Sequence, residues 1–120
     1  YNTVCWDELA TSDLEGAKKF YTAVCGWDEN EKSSNEYLEF NVNGTLRGGA
    51  RPLSEHEAKI MPSYWGVYFR VQSLADARVA IEKNGGEILT PVMNADKLEF
   101  QACKDSTGAV FSICQYEDEA

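Results

Sequence analysis

The sequence predicts an α+β domain made of two tandem β-α-β-β-β modules, their strands forming a curved mixed sheet around a concave cleft. Three observations carry this prediction. The chain of 120 residues is the size of one domain and large enough to bury a core. It also repeats itself weakly at half its length: a shift of 60 residues lays Leu38-Glu39-Phe40 on Leu98-Glu99-Phe100, Leu14 on Leu74, Ala17 on Ala77, Gly26 on Gly86 and Gly48 on Gly108. Finally, these matches fall at equivalent structural signals. The modules are expected at 1–53 and 63–120, joined by a polar linker at 54–62.

In the first module, Thr3–Leu9 reads as a strand. Thr11-Ser12-Asp13 offers an N-cap, and Leu14, Ala17, Phe20, Tyr21 and Val24 follow at helical spacing. Gly26 ends that helix, as a left-handed cap position prefers. Strands are expected at Asp28–Lys32, Glu36–Val42 and Thr45–Pro52, the last two joined by the two-residue turn Asn43-Gly44. Ser54 to Pro62 is charged and closed by proline, which suggests a linker.

The second module follows the same order. Tyr64–Val71 is rich in aromatic and β-branched residues, as strands are. Ser73 is an N-cap candidate before the stripe Leu74, Ala77, Ala80 and Ile81, and Asn84-Gly85-Gly86 stops the helix. Strands follow at Glu87–Thr90, Leu98–Lys104 and Ala109–Gln115, with Asp105-Ser106-Thr107-Gly108 as the last turn.

Composition excludes several functions. Twenty acids against eleven bases give a net charge of −9, and the densest basic pair is Lys18-Lys19. A duplex binder needs a basic face and an anionic membrane repels this one, so no nucleic-acid or membrane partner is expected. No apolar run approaches the roughly 20 residues that span a bilayer. The first eight residues lack the basic and apolar regions of a signal peptide, although the chain opens on Tyr1 and not Met. Cys5, Cys25, Cys103 and Cys114 form no Cys-x-x-Cys pair, and His56 is the sole histidine, so a zinc finger or ribbon fails. Buried reduced thiols in a cytoplasmic protein are the expected use of the cysteines.

The motifs also carry a family likeness. Ser12-Asp13-Leu14-Glu15-Gly16-Ala17-Lys18-Lys19-Phe20-Tyr21, followed by Gly26-Trp27, Gly85-Gly86-Glu87-Ile88-Leu89 and Asp105-Ser106-Thr107-Gly108-Ala109-Val110-Phe111, resembles the glyoxalase/bleomycin-resistance/dioxygenase superfamily, the vicinal oxygen chelate proteins. Trp6-Asp7-Glu8-Leu9 and Tyr64-Trp65-Gly66-Val67-Tyr68-Phe69 are similar to one branch of it. The resemblance implies the fold predicted above. It also implies a divalent metal held by His, Gln or Glu from the first and last strand of each module. Carried over one at a time, those positions fall on Trp6, Gly66, Ser112 and a site near Pro52, none of them a plausible ligand. No metal and no other cofactor is therefore expected.

Alternation along the first strand puts Glu8 on the face of Trp6, where a carboxylate beside an indole would have a raised pKa and could serve as a general base. Tyr64 and Tyr68 share a face with Gly66 and with Trp6 could floor a site for a flat or apolar ligand. Trp65, Val67 and Phe69 should pack on the helices. Ser112 and Cys114 alternate with Phe111 and Ile113 and so should line the cleft. Cys114 as a nucleophile would need a base, and His56 lies in the linker. Arg47 or Arg51 could meet an anionic group at the mouth.

The leading expectation is a small-molecule-binding protein, using Trp6, Glu8, Tyr64, Tyr68, Ser112 and Cys114. Drug-sequestering members of the superfamily work without metal as dimers, so the resemblance implies a homodimer. The alternatives are a lyase, isomerase or dioxygenase, metal-free with Glu8 as base or with an unplaced metal site, and an interaction protein with no small ligand.

Overall fold

The computed structural model describes all residues except Lys32, Asn35, Asp96 and 117–120. The chain forms two compact units: Trp6–Trp65, called here the N-terminal unit, and Tyr1–Cys5 with Gly66 onward, called the C-terminal unit. Each is a mixed sheet with a helix on it, an α+β arrangement.

In the N-terminal unit the order along the sheet is β2 (Asp28–Glu29), β3 (Leu38–Val42), β4 (Thr45–Pro52) and β1 (Val4–Thr11). β1 and β4 run parallel, Glu8 opposite Gly49 and Ala10 opposite Arg51, while β4, β3 and β2 are antiparallel. α1 (Leu14–Cys25) begins where the Asp13 carboxylate accepts the Gly16 N–H at 3.0 Å and ends at Gly26, φ 70°. The turn at Asn43-Gly44 has φ of 51° and 80°, the positive pair that a tight two-residue hairpin needs.

The apolar stripe of α1 divides. Leu14, Ala17 and Tyr21 pack with Trp27 on the core of Leu9, Leu38, Phe40 and Ala50. Phe20 and Val24, expected on the same stripe, are exposed. At 100° per residue a face centred on 14, 17 and 21 leaves 20 and 24 on its flank.

The segment expected as a bare linker contains a helix, α2 (Glu55–Ile60). The cause is a capping box, in which Ser54 Oγ accepts the Glu57 N–H and Glu57 returns its carboxylate to the Ser54 N–H.

In the C-terminal unit the order is β5 (Tyr64–Arg70), β9 (Val110–Tyr116), β8 (Leu98–Lys104) and β6 (Glu87–Ile88), with β7 (Met93–Ala95) also on β8. β5 and β9 are parallel, Tyr68 opposite Ser112 and Arg70 opposite Cys114. α3 (Leu74–Lys83) is capped by Ser73 and packs Leu74, Ala77 and Ile81 near Cys103 and Ile113. Phe69 meets Phe111 at 5.8 Å between ring centroids.

Strand bounds shift modestly from expectation. β1 runs two residues past Leu9, because Ala10 and Thr11 continue the ladder to Arg51 and Pro52. β2 and β6 are two-residue strands, and Lys32, expected at the end of β2, lies outside the described residues. β7 was not expected at all.

Candidate functional site

Six side chains of the N-terminal unit form one chain of hydrogen bonds. The Trp6 indole N–H donates to the Tyr37 phenol oxygen at 2.9 Å, and the Tyr37 hydroxyl donates to Glu8 Oε2 at 2.7 Å. Arg51 Nε donates to Glu8 Oε1 at 3.1 Å. The other edge of the same guanidinium makes a two-pronged pair with Glu57, Nη1 to Oε1 at 2.7 Å and Nη2 to Oε2 at 3.0 Å. Nη2 also donates to the Tyr64 oxygen, and the Tyr64 hydroxyl donates to Glu57 Oε2, both at 3.2 Å.

Secondary structure brings these groups together. Alternation along β1 sends Trp6 and Glu8 to one side. The parallel ladder places Arg51 two residues beyond the partner of Glu8. The capping box of α2 fixes Glu57 over Arg51, and Tyr64 opens β5. Gly49 makes room for Tyr37, since a Cβ at 49 would collide with the phenol ring.

The charges answer one another. Hydrogen bonds from Arg51 hold the Glu57 carboxyl down at about 2, and the same pair pushes the Arg51 guanidinium up. Burial raises the Tyr64 phenol. The Arg51 side chain is 32% exposed and that of Glu8 14%, so a ligand would meet guanidinium before carboxylate. Glu8, expected as a base beside an indole, instead accepts from a phenol and a guanidinium.

The expected site residues divide between the units. Trp6, Glu8 and Tyr64 join the network. Tyr68, Ser112 and Cys114 lie in the C-terminal unit, where Tyr68 packs edge-on against Phe100 and Cys114 is fully buried. Burial, with the Cys5 thiol beside it, pushes the Cys114 thiol up to about 12, the reverse of what a nucleophile needs. Trp65 packs edge-on to Tyr21 and Trp27 and donates its indole N–H to the Tyr21 hydroxyl at 2.9 Å. Cys25, expected buried, is exposed at the end of α1. Tyr37 and Glu57 were not singled out from the sequence. The Ser54-x-x-Glu57 spacing could have pointed to Glu57; nothing local points to Tyr37.

Two concavities among the described residues of this unit lie elsewhere. One of about 90 Å³ is lined by Asp7, Trp27, Phe40, Arg47, Gly48 and Trp65. Another, of about 390 Å³, runs past Leu14, Lys18, Glu29, Ser33 and Leu38.

The ladders correct the mapping of the last strands. Tyr68 follows Glu8 by 60 residues, but its partner Ser112 follows Gly49, the partner of Glu8, by 63. The equivalent of Ser112 is therefore Gly49 and not a residue near Pro52, because the second module carries three more residues before its last strand.

Comparison with known proteins then bears on the fold. No family model matches the chain. A structure of a glyoxalase/bleomycin resistance protein/dioxygenase superfamily member from Vibrio splendidus 12B01 superposes with a TM-score of 0.66 at 13% identity, covering 94% of this chain and 99% of that one. The chain has the glyoxalase/bleomycin-resistance/dioxygenase fold. Its relatives by sequence agree with the resemblance. "Putative glyoxylase CFP32" of Mycobacterium tuberculosis is 28% identical over 92% of the chain and 44% of that protein. "Anthracycline biosynthesis protein DnrV" of Streptomyces peucetius is 25% identical over 90% of the chain and 45% of that protein. The chain thus spans about half the length of the curated relatives it matches.

The fold family implies a divalent metal, and the residues here do not fit one. Trp6 offers an indole whose N–H is a donor, Gly66 and Gly49 have no side chain, and Ser112 offers only a neutral hydroxyl. The Tyr37 phenol occupies the space over Gly49. Among the described residues no three His, Cys, Asp or Glu side chains converge.

Proposed function

We propose that this glyoxalase-fold chain binds a small organic molecule on the face that carries Trp6, Glu8, Arg51 and Tyr64, without the metal of its fold family. The single observation behind the reading is the side-chain network itself. Its indole, two phenols, two carboxylates and one guanidinium are held by mutual hydrogen bonds, a built polar surface with an aromatic rim. Such a surface orients a ligand by hydrogen bonds at low entropic cost, because the side chains are already ordered. The reading includes a homodimer, which a monomer mass by light scattering would remove.

The second reading is an enzyme, a lyase or isomerase with Glu8 as base. The short Tyr37–Glu8 bond favours it, since a phenol could relay the proton. It ranks second because both Glu8 oxygens already accept bonds, so a substrate would have to displace one donor.

Two measurements test the proposal. Elemental mass spectrometry after incubation with zinc, nickel, manganese and iron(II) should find less than about a tenth of an equivalent of metal. One tight equivalent would overturn the metal-free reading. The name of the Streptomyces relative makes an anthracycline a rational first ligand probe. Tryptophan quenching on titration with doxorubicin should be saturable, and about tenfold weaker for Glu8→Gln. Equal affinity in the variant would remove Glu8 from the site.

A further inference from the structure

The C-terminal unit brings two thiols together. Cys5, in the first residues of β1, and Cys114, in β9, hold their Sγ atoms 3.0 Å apart. Cys5 also donates to the Tyr68 carbonyl at 3.4 Å. Cys5 is half-buried, whereas Cys114 is 0% exposed. The remaining cysteines are placed differently. Cys103 donates to the Gln101 carbonyl at 3.8 Å, and Cys25 stands in solvent. An S–S bond is about 2.05 Å long, so the Cys5–Cys114 pair is roughly one ångström from bonding distance.

We propose that Cys5 and Cys114 are a reversible thiol-oxidation site that closes to an intramolecular disulfide with a low-molecular-weight disulfide such as oxidised glutathione. The Cys5 thiol, the one that solvent reaches, loses its proton and attacks one sulfur of oxidised glutathione. A protein–glutathione mixed disulfide forms and one glutathione thiolate leaves. The Cys114 sulfur, losing its own proton, then attacks the Cys5 sulfur and expels the second glutathione. Two protein thiols are oxidised by two electrons, and one oxidised glutathione becomes two thiols.

Two features of the unit shape this site. Burial that excludes glutathione from Cys114 makes Cys5 the point of entry and Cys114 the resolving thiol. β5 also lies between the partners: the Arg70 N–H donates to the Thr3 carbonyl on one side, while Arg70 pairs with Cys114 on the other. Both side chains therefore lean over β5, and closing the bond draws the first residues of β1 toward β9.

The experiment uses the full chain with Cys25→Ser, which removes the exposed thiol. The protein is equilibrated in glutathione redox buffers, alkylated and mapped by mass spectrometry. The expected result is loss of two free thiols and of two hydrogens in mass, a cross-linked peptide pair containing Cys5 and Cys114, no disulfide-linked dimer, and full reversal by dithiothreitol. A second variant, Cys5→Ser, should leave Cys114 and Cys103 fully alkylatable after unfolding. The proposal is overturned if Cys5 stops at the glutathione adduct with Cys114 still reduced, or if Cys103 appears in the cross-link.

Discussion

The two units share a ladder but use it differently. In each, the first strand runs parallel to the last, and the rung Ala10–Arg51 of one corresponds to Arg70–Cys114 of the other. An arginine occupies both rungs, on opposite strands. Arg51 is answered by the carboxylates of Glu8 and Glu57. Arg70 lies over two aromatic faces, 4.5 Å from the Tyr116 centroid and 5.4 Å from that of Tyr1. Two rungs earlier, Glu8 in the first unit corresponds to Tyr68 in the second, and Gly49 to Ser112. The same backbone thus supports a salt-bridged polar surface in one half and a thiol–aromatic cluster in the other. A duplicated fold fixes where side chains converge; the residue types there decide the chemistry.

Substitutions can break this comparison at several strengths. The largest effect should come from Phe40→Ala. Phe40 is 1% exposed at the centre of the first core and touches Trp27. Its truncation should cost about 3–5 kcal/mol in denaturant unfolding, as large-to-small core changes do. Leu74→Ala, in the smaller second core, should cost about 2–5 kcal/mol by the same measurement.

Glu57→Gln should be milder, about 1–2 kcal/mol in urea melts, because it weakens both the capping box and a partly exposed ion pair. Tyr37→Phe should cost about 1 kcal/mol or less, since it removes the hydroxyl that joins Trp6 to Glu8 but keeps the ring over Gly49. A loss above about 3 kcal/mol would mean that the hydroxyl anchors the unit rather than tuning the site.

The smallest effects are two pH edges, one for each unit. Glu57 has its folded pKa lowered from 4.5 to about 2, so its contribution is present above 4.5 and is lost as pH falls toward 2. Solvent screening of this pair keeps the amplitude small. Cys114 has its pKa raised from 9.0 to about 12, so its contribution is complete below 9 and is lost as pH rises toward 12. Melting temperatures across pH should show both edges. Glu57→Gln should flatten only the acid one, and an acid edge that survives this change would assign it to other carboxylates.

Much of the fold was legible from the residues. β4 and β8 have the bounds expected from their alternation, and the caps at Asp13, Ser73 and Gly26 stand where expected. These signals are local, repeating within a few residues. β7 was missed because three residues are too few to show a period. The linker was misread because its polar composition hid the capping box that makes it helical.

The site was legible only in part, and for the same reason. The sequence by itself determined the doubled architecture, the shared face of Trp6 and Glu8, and the loss of metal-ligand residue types at Trp6, Gly66 and Ser112. Only the tertiary structure decided that Tyr37 fills the space over Gly49, that Glu57 rather than solvent answers Arg51, and that Cys5 and Cys114 touch. Those contacts join residues 29 apart for Tyr37 and Glu8, and 109 apart for the two thiols. They depend on strand register, which a three-residue difference in loop length shifts between the halves without leaving any periodic mark in the chain.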